Sequence, residues 1–210
     1  MIIGHKNGII LEQKVSNNVQ IIKGFPTHTV IGGEFAIAKE DEKIAFKTLL
    51  GSCVAIMFFD KQNKIKAMNH FLLPKTNSMN NDMKYGLYSV EAMLNEMYKL
   101  GAKKHNIQAK IAGGASIFSA SNSMGSIGQR NVEFALDFCN SENFKIVSNH
   151  TRGIKSRVIL LIDEFSTYIQ NVNSNNENNN VIDNEIKLQE NITYNSENII
   201  VNKSTNIELF

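Results

Sequence analysis

Cys53 and His70 are the residues of this chain whose types and spacing suit covalent chemistry. Cys53 stands in Thr48-Leu49-Leu50-Gly51-Ser52-Cys53-Val54-Ala55, where a Gly-Ser turn runs into an apolar stretch. His70 stands one predicted strand later, in Met68-Asn69-His70-Phe71-Leu72-Leu73-Pro74. A thiolate nucleophile with an imidazole to move its protons is the minimum equipment for cysteine-based acyl chemistry. Gly51 before the thiol permits a backbone that other residues disfavour, and a sharp turn there leaves N–H groups to hold an oxyanion. Ser52 competes as a nucleophile, but the stretch lacks the GxSxG elbow. The competing reading is packing, because an unpaired cysteine is among the most buried residue types. The chemistry requires Cys53 to be ionisable, reachable by solvent and within touching range of the imidazole.

Those residues must be held by regular structure, and the chain supplies it between about 29 and 169. Short β-branched or aromatic runs predict strands at Val54 to Phe59, Ile65 to Leu73, Ala109 to Ala112, Phe144 to Ser148 and Arg157 to Ile162. Asp60-Lys61-Gln62-Asn63-Lys64 reads as a hairpin loop, and Pro74 as the end of the second strand. Leu87, Val90, Met93, Leu94, Met97 and Leu100 recur at helical steps, which predicts a helix from about Tyr85 to Leu100 with Gly101 as its cap. A second helix is predicted from about Asn131 to Cys139. Strand pair, helix, strand, helix, strands reads as a mixed α/β or α+β layer fold, with a mixed β-sheet core flanked by helices.

Two zones fall outside that pattern. Residues 1–28 form a polar lead of unassigned role. Residues 170–210 carry 13 Asn and no Gly or Pro, a low-complexity composition that predicts a disordered tail. Lys and Arg are scattered and the net charge is +2, so the sequence shows no nucleic-acid footprint. No apolar run reaches the length of a membrane span, and the start does not look like a signal peptide, so the expected compartment is the cytoplasm. Cys53 and Cys139 fit a reducing compartment, with Cys139 in the core of a helix face. There is no CxxC and the five histidines are dispersed, so no metal site is expected. Gly113-Gly114 reads either as a cleft lining or as a loop that only glycine fits, and Arg157 as a partner for a carboxylate or, by default, a solvated side chain.

Several blocks together resemble one known family, from about Val30 to Ile162. They are Gly33-Glu34, Leu50-Gly51-Ser52-Cys53-Val54-Ala55, Asp60, His70-Phe71-Leu72-Leu73-Pro74 and Lys84-Tyr85-Gly86. Gly101-Ala102, Ala109 to Ala115, and Ile127-Gly128-Gln129-Arg130-Asn131 follow. The chain resembles the CheD family, the chemoreceptor glutamine deamidases of bacterial chemotaxis. The resemblance implies a layered sandwich similar to toxin-type cysteine deamidases and a Cys–His–Thr catalytic group. It also implies glutamine-to-glutamate conversion on methyl-accepting chemoreceptors through a thioester, with no cofactor. For some members it implies a CheC-type phosphatase partner. On this resemblance Cys53 is the nucleophile, His70 the acid and base, and Gly51, Ser52, Gly113 and Gly114 the oxyanion or substrate-binding positions.

This chain departs from the family pattern twice. The family threonine falls six residues before the cysteine, where this chain has Lys47. Thr48 is the candidate, although a one-residue slip in a strand reverses a side chain's direction. The family's Asp-x-Gly-Gly-x-x-x-Arg appears here as His150-Thr151-Arg152-Gly153-Ile154-Lys155-Ser156-Arg157. The alternative that these departures leave open is a CheD-like binding module without turnover.

Overall fold

The computed structural model describes residues 1–5, 10–12, 20–73, 79–116, 125–164, 166–172 and 187. In chain order the strands are β1 (Ile2–His5), β2 (Ile10–Glu12), β3 (Gln20–Ile22), β4 (Phe25–Thr29), β5 (Glu34–Lys39) and β6 (Ala45–Leu50). They continue with β7 (Val54–Asp60), β8 (Ile65–Asn69), β9 (Ile107–Gly113), β10 (Lys145–Thr151), β11 (Arg157–Leu161) and β12 (Thr167–Asn171). The helices are α1 (Met79–Lys99) and α2 (Gly125–Ser141).

Alternation along β7 sets the architecture. Every residue of β7 is buried. Val54, Ile56 and Phe58 enter one core, and Ala55, Met57 and Phe59 enter another. A strand buried on both faces reads in sequence as one unbroken apolar run, as this one does. The first core lies between the larger sheet and the helices, with Val90, Met93 and Met97 of α1 and Val132, Ala135 and Phe138 of α2. The second lies between the two sheets, with Phe46 and Leu50 of β6 and Ile159 and Leu161 of β11.

The larger sheet runs β10-β9-β7-β8-β5-β1-β2, and only its β9/β10 pair is parallel. The smaller runs β12-β11-β6-β4-β3, with β4/β6 parallel. The mixed α/β expectation therefore holds, with a correction to the layering. Both described helices cover one face of the larger sheet, and a second sheet covers the other.

The predicted elements appear with shifted ends. Both helices start earlier than their apolar periodicity suggests. Gly101 takes φ +103 and its N–H bonds to Tyr98 O at 2.9 Å, which closes α1 as a glycine cap does. Regular pairing of β8 stops at Asn69, short of the expected Leu73, because the Asn69 side-chain oxygen takes the Ile56 N–H at 2.8 Å in place of a ladder carbonyl. Pro74 lies outside the described residues.

The polar lead is part of the sheets: β1 pairs with β5 and β4 with β6. At the other end β12 runs to Asn171 and Val172 is buried. Of the Asn-rich tail, residues 170–172 are thus ordered and Lys187 is described, while the rest of the expected disorder falls outside the described residues. Among the described residues no helix is long and apolar enough to cross a membrane.

Candidate active site

Register brings Cys53 and His70 together. Val54 N–H bonds to Phe71 O at 3.0 Å and Phe71 N–H to Val54 O at 2.9 Å, in an antiparallel bridge that extends the β7/β8 ladder. Ala55 therefore stands opposite His70, and Cys53 one diagonal step away. Diagonal neighbours lie about 7–8 Å apart at their Cα atoms, within side-chain reach. Period-two alternation turns Cys53, Ala55 and His70 to the same face, toward the smaller sheet. The main chain of His70 is locked on its other side, where its N–H bonds to Glu34 O at 2.9 Å and its carbonyl accepts Gly33 N–H at 2.8 Å.

The smaller sheet supplies Thr48. Along β6, Phe46, Thr48 and Leu50 are buried, whereas Lys47 is half-buried and Leu49 exposed. Thr48 thus points into the layer between the sheets and Lys47 away from it. Thr48 Oγ1 lies 2.9 Å from His70 Nδ1 and donates to Val30 O at 2.8 Å. A carbonyl only accepts, so the single hydroxyl proton goes to Val30 and Nδ1–H donates to Oγ1. Neutral His70 then carries its proton on Nδ1 and presents Nε2 as the basic nitrogen.

Burial is the feature that departs from the sequence expectation. Cys53 has no exposed surface and His70 is 7% exposed, so the thiol is not reachable by solvent in this conformation. The turn around Cys53 is fastened from behind. Gly114 N–H bonds to Cys53 O at 2.7 Å and Ala115 N–H to Gly51 O at 2.8 Å. Gly113 and Gly114 sit at φ +116 and +67, and a Cβ on Gly113 would lie 2.2 Å from Cys53 O. The pair is glycine because this close approach and backbone exclude a side chain. With its N–H given to Cys53 O, Gly114 shapes the turn that carries the thiol. Burial pushes the thiol of Cys139 up to about 12, where it stays protonated.

Arg157 corrects a second expectation. It is buried, not solvated, and no carboxylate among the described residues pairs with it. Its guanidinium donates to His150 O at 2.6 Å and to Arg152 O, and stands 3.0 Å from His150 Nδ1. Burial lowers its pKa from the ordinary arginine value. The loop it gathers touches the site's backing, since Arg152 N–H bonds to Gly113 O and Ser116 N–H to Gly153 O. Arg152 occupies the left-handed region at φ +66, at the position where the family pattern has its first glycine.

Two residues near the site escaped the sequence reading as individuals. Glu34 is buried opposite His70, its carboxylate accepting Ile31 N–H at 3.0 Å and lying 3.8 Å from His28 Nε2. Asn131 is wholly buried on α2 and bonds to the backbone on both sides of the site. The available signal for Asn131 was an amide on the apolar stripe of a helix, one turn before Ala135.

At the far end of the same strands a cavity of about 620 Å³ is lined by Phe25, Phe59, Asp60 and Lys66, among others. Asp60 and Lys66 are engaged there by hydrogen bonds. Burial alone would raise Asp60, but N–H donors from Asn63 and Lys103 outweigh it and hold the carboxyl below its usual value. Among the described residues no group of three His, Cys, Asp or Glu is placed to hold a metal ion.

Comparison with known proteins places this chain in a family. A Thiobacillus denitrificans protein is 31% identical over 156 residues, spanning 71% of this chain and 76% of that protein. The chain belongs to the CheD family. The family model described as CheD chemotactic sensory transduction matches residues 72–171, beginning just after His70. A Dechloromonas aromatica CheD is 38% identical over 138 residues, 64% of this chain and 68% of its own length. A CheD of Albidiferax ferrireducens is 35% identical over 130 residues, and this chain spans 54% of that protein's length. The Thiobacillus relative carries the name "Probable chemoreceptor glutamine deamidase CheD". A solved Neisseria meningitidis structure of the DUF152 family aligns over 67% of this chain and 76% of its own, at 9% identity and TM-score 0.40.

Proposed function

We propose that this CheD-family chain hydrolyses glutamine side-chain amides of methyl-accepting chemoreceptors to glutamate, in the cytoplasm, with Cys53 as nucleophile. The observation that carries the reading is the Thr48–His70 hydrogen bond on the face that also holds Cys53. The names of the relatives supply the substrate class.

Nδ1 of His70 is committed to Thr48, so Nε2 takes the thiol proton. The sulfur attacks the amide carbon, forming an S–C bond and an oxyanion. In this reading N–H groups of the Gly51-Ser52-Cys53 turn hold that charge. The C–N bond breaks as the imidazolium passes its proton to the departing ammonia, which leaves a thioester. His70 then deprotonates water, hydroxide adds, and the C–S bond breaks to release glutamate side chain and restore the thiol. Thr48 keeps the imidazole in one tautomer and orientation, the part a third residue plays in hydrolytic triads. Glutamine reaches the buried sulfur only when the surrounding chain opens. The test is mass spectrometry of a co-expressed receptor. Defined glutamines gain the mass of amide-to-acid conversion with the intact chain and not with Cys53→Ala; unchanged receptor masses with the intact chain reject the reading.

The complete burial of Cys53 favours a second reading, a module that docks receptors or a CheC-type phosphatase without turnover. Retained receptor binding with no ammonia release selects it.

A further inference from the structure

One side chain ties the nucleophile's turn to the segment that follows the imidazole. Asn131, with no exposed surface, donates from Nδ2 to Ser52 O at 2.8 Å and accepts at Oδ1 from Leu73 N–H at 2.8 Å. Ser52 immediately precedes Cys53, and Leu73 follows His70-Phe71-Leu72. Beyond the Val54–Phe71 pair, where the regular ladder has ended, this planar amide spans the two segments.

The helix that carries Asn131 is itself seated against the site. A Cβ on Gly128 would lie 2.9 Å from the carbonyl oxygens of Gly114 and Ala115, and one on Gly114 would lie 2.2 Å from Val132 Cγ2. Gly114 and Ala115 hold the Cys53 turn through their N–H groups. The amide of Asn131 is thus fixed to the same frame as the turn it holds, with both polar ends used.

We propose that Asn131 is a positioning residue for the deamidation: it sets the separation of Cys53 from His70. The inference rests on the deamidase reading above. Both hydrogen bonds go to main chain adjoining the reacting groups. Losing them lets the Ser52–Cys53 turn and the His70–Leu73 segment move independently.

The experiment uses the full chain as wild type, Asn131→Leu and Asn131→Asp. Ammonia release from a receptor helix gives kcat and KM across pH, intact mass gives the rate of Cys53 alkylation by iodoacetamide across pH, and thermal melting checks the fold. In Asn131→Leu, kcat falls on the order of 10²-fold with KM within about twofold, the signature of lost transition-state geometry. Its alkylation midpoint moves to higher pH, because the thiolate loses its imidazolium neighbour. Asn131→Asp keeps the acceptor for Leu73 and loses the donor to Ser52. Its deficit against wild type shrinks as pH falls and the new carboxyl gains a proton.

A merely structural role lowers the melting temperature and leaves the kcat and alkylation midpoint of the folded protein unchanged. Folded variants with wild-type kcat and alkylation profile, or an Asn131→Asp deficit that does not change with pH, overturn the inference. If wild type alkylates but releases no ammonia, the deamidase reading fails alone, and the alkylation shift in Asn131→Leu still decides the positioning. If Asn131→Leu does not fold, Asn131→Asp carries the test. A wild-type thiol that neither turns over nor alkylates overturns both.

Discussion

The two faces of the larger sheet use the same strands for different ends. Toward the helices, β7 and β8 present Val54, Ile56, Phe58, Ile65 and Ala67 to an aromatic and aliphatic core. Phe58, Phe134, Phe138 and Phe144 make successive ring contacts there. Toward the smaller sheet, the same two strands carry Lys66 and lead into Cys53 and His70, among the small side chains Ala36, Ala38, Ala55 and Ala112. Small residues let the sheets approach closely enough for Thr48 to reach His70 and for Lys66 to donate to Ile44 O and Ile162 O. One layer holds the fold by apolar burial. The other concentrates titratable groups, where low polarity strengthens every charge they exchange.

That contrast breaks most visibly at the two thiols. On the deamidase reading, Cys53→Ala is expected to abolish receptor deamidation, whereas Cys139→Ala, in the helix-facing core, is expected to leave the rate intact; receptor mass spectrometry reads both. Thr48→Val removes the acceptor for Nδ1–H and lowers kcat by roughly 10²-fold, whereas Thr48→Ser retains most of it. Steady-state ammonia release distinguishes the two. At Met93, in the helix-facing core, the cost is stability alone. Met93 is wholly buried, and Met93→Ala destabilises by about 2–5 kcal/mol in urea unfolding, with kcat preserved at temperatures where the variant stays folded.

Lys66 sharpens the comparison from the sheet-facing side. Burial lowers its pKa to about 8 from the usual 10.5, against the opposing pull of Asp163, Glu42 and Glu40. Between those values the unfolded chain binds more protons than the folded one. Stability therefore rises as pH climbs from about 8 toward 10.5, by up to roughly 3 kcal/mol. Lys66→Met flattens that slope, which denaturant melts at a series of pH values would reveal. A slope equal to wild type would show that the amine is not desolvated. The smallest effect is at the loop behind the site. Arg152→Gly relieves a left-handed φ and raises stability by about 0.5–1 kcal/mol.

Much of the fold was legible in the chain itself. The apolar run of β7, the period of α1 and α2, the Asp60 turn and the Gly101 cap are all local patterns, and local sterics and burial decide them. The six strands before β7 were not legible. Strands such as β3 and β4 are short, and β4 contains Pro26, so neither shows a period; they are strands because neighbours complete their hydrogen bonds. The solvated Arg157 was misread for a related reason. A guanidinium is buried only where carbonyls converge, and those of His150 and Arg152 come together through a loop conformation that residue types do not announce.

By itself the sequence determined which atoms are available: a thiol after a Gly-Ser turn, an imidazole one strand on, a hydroxyl before them, and glycines where no side chain fits. Tertiary structure alone decided that Thr48 and not Lys47 faces His70, that the thiol is sealed from solvent, and that Asn131 joins the two halves of the site. Each of these depends on register between strands or on how a helix seats against a sheet. Such distances join residues far apart in the chain, and no local pattern encodes them.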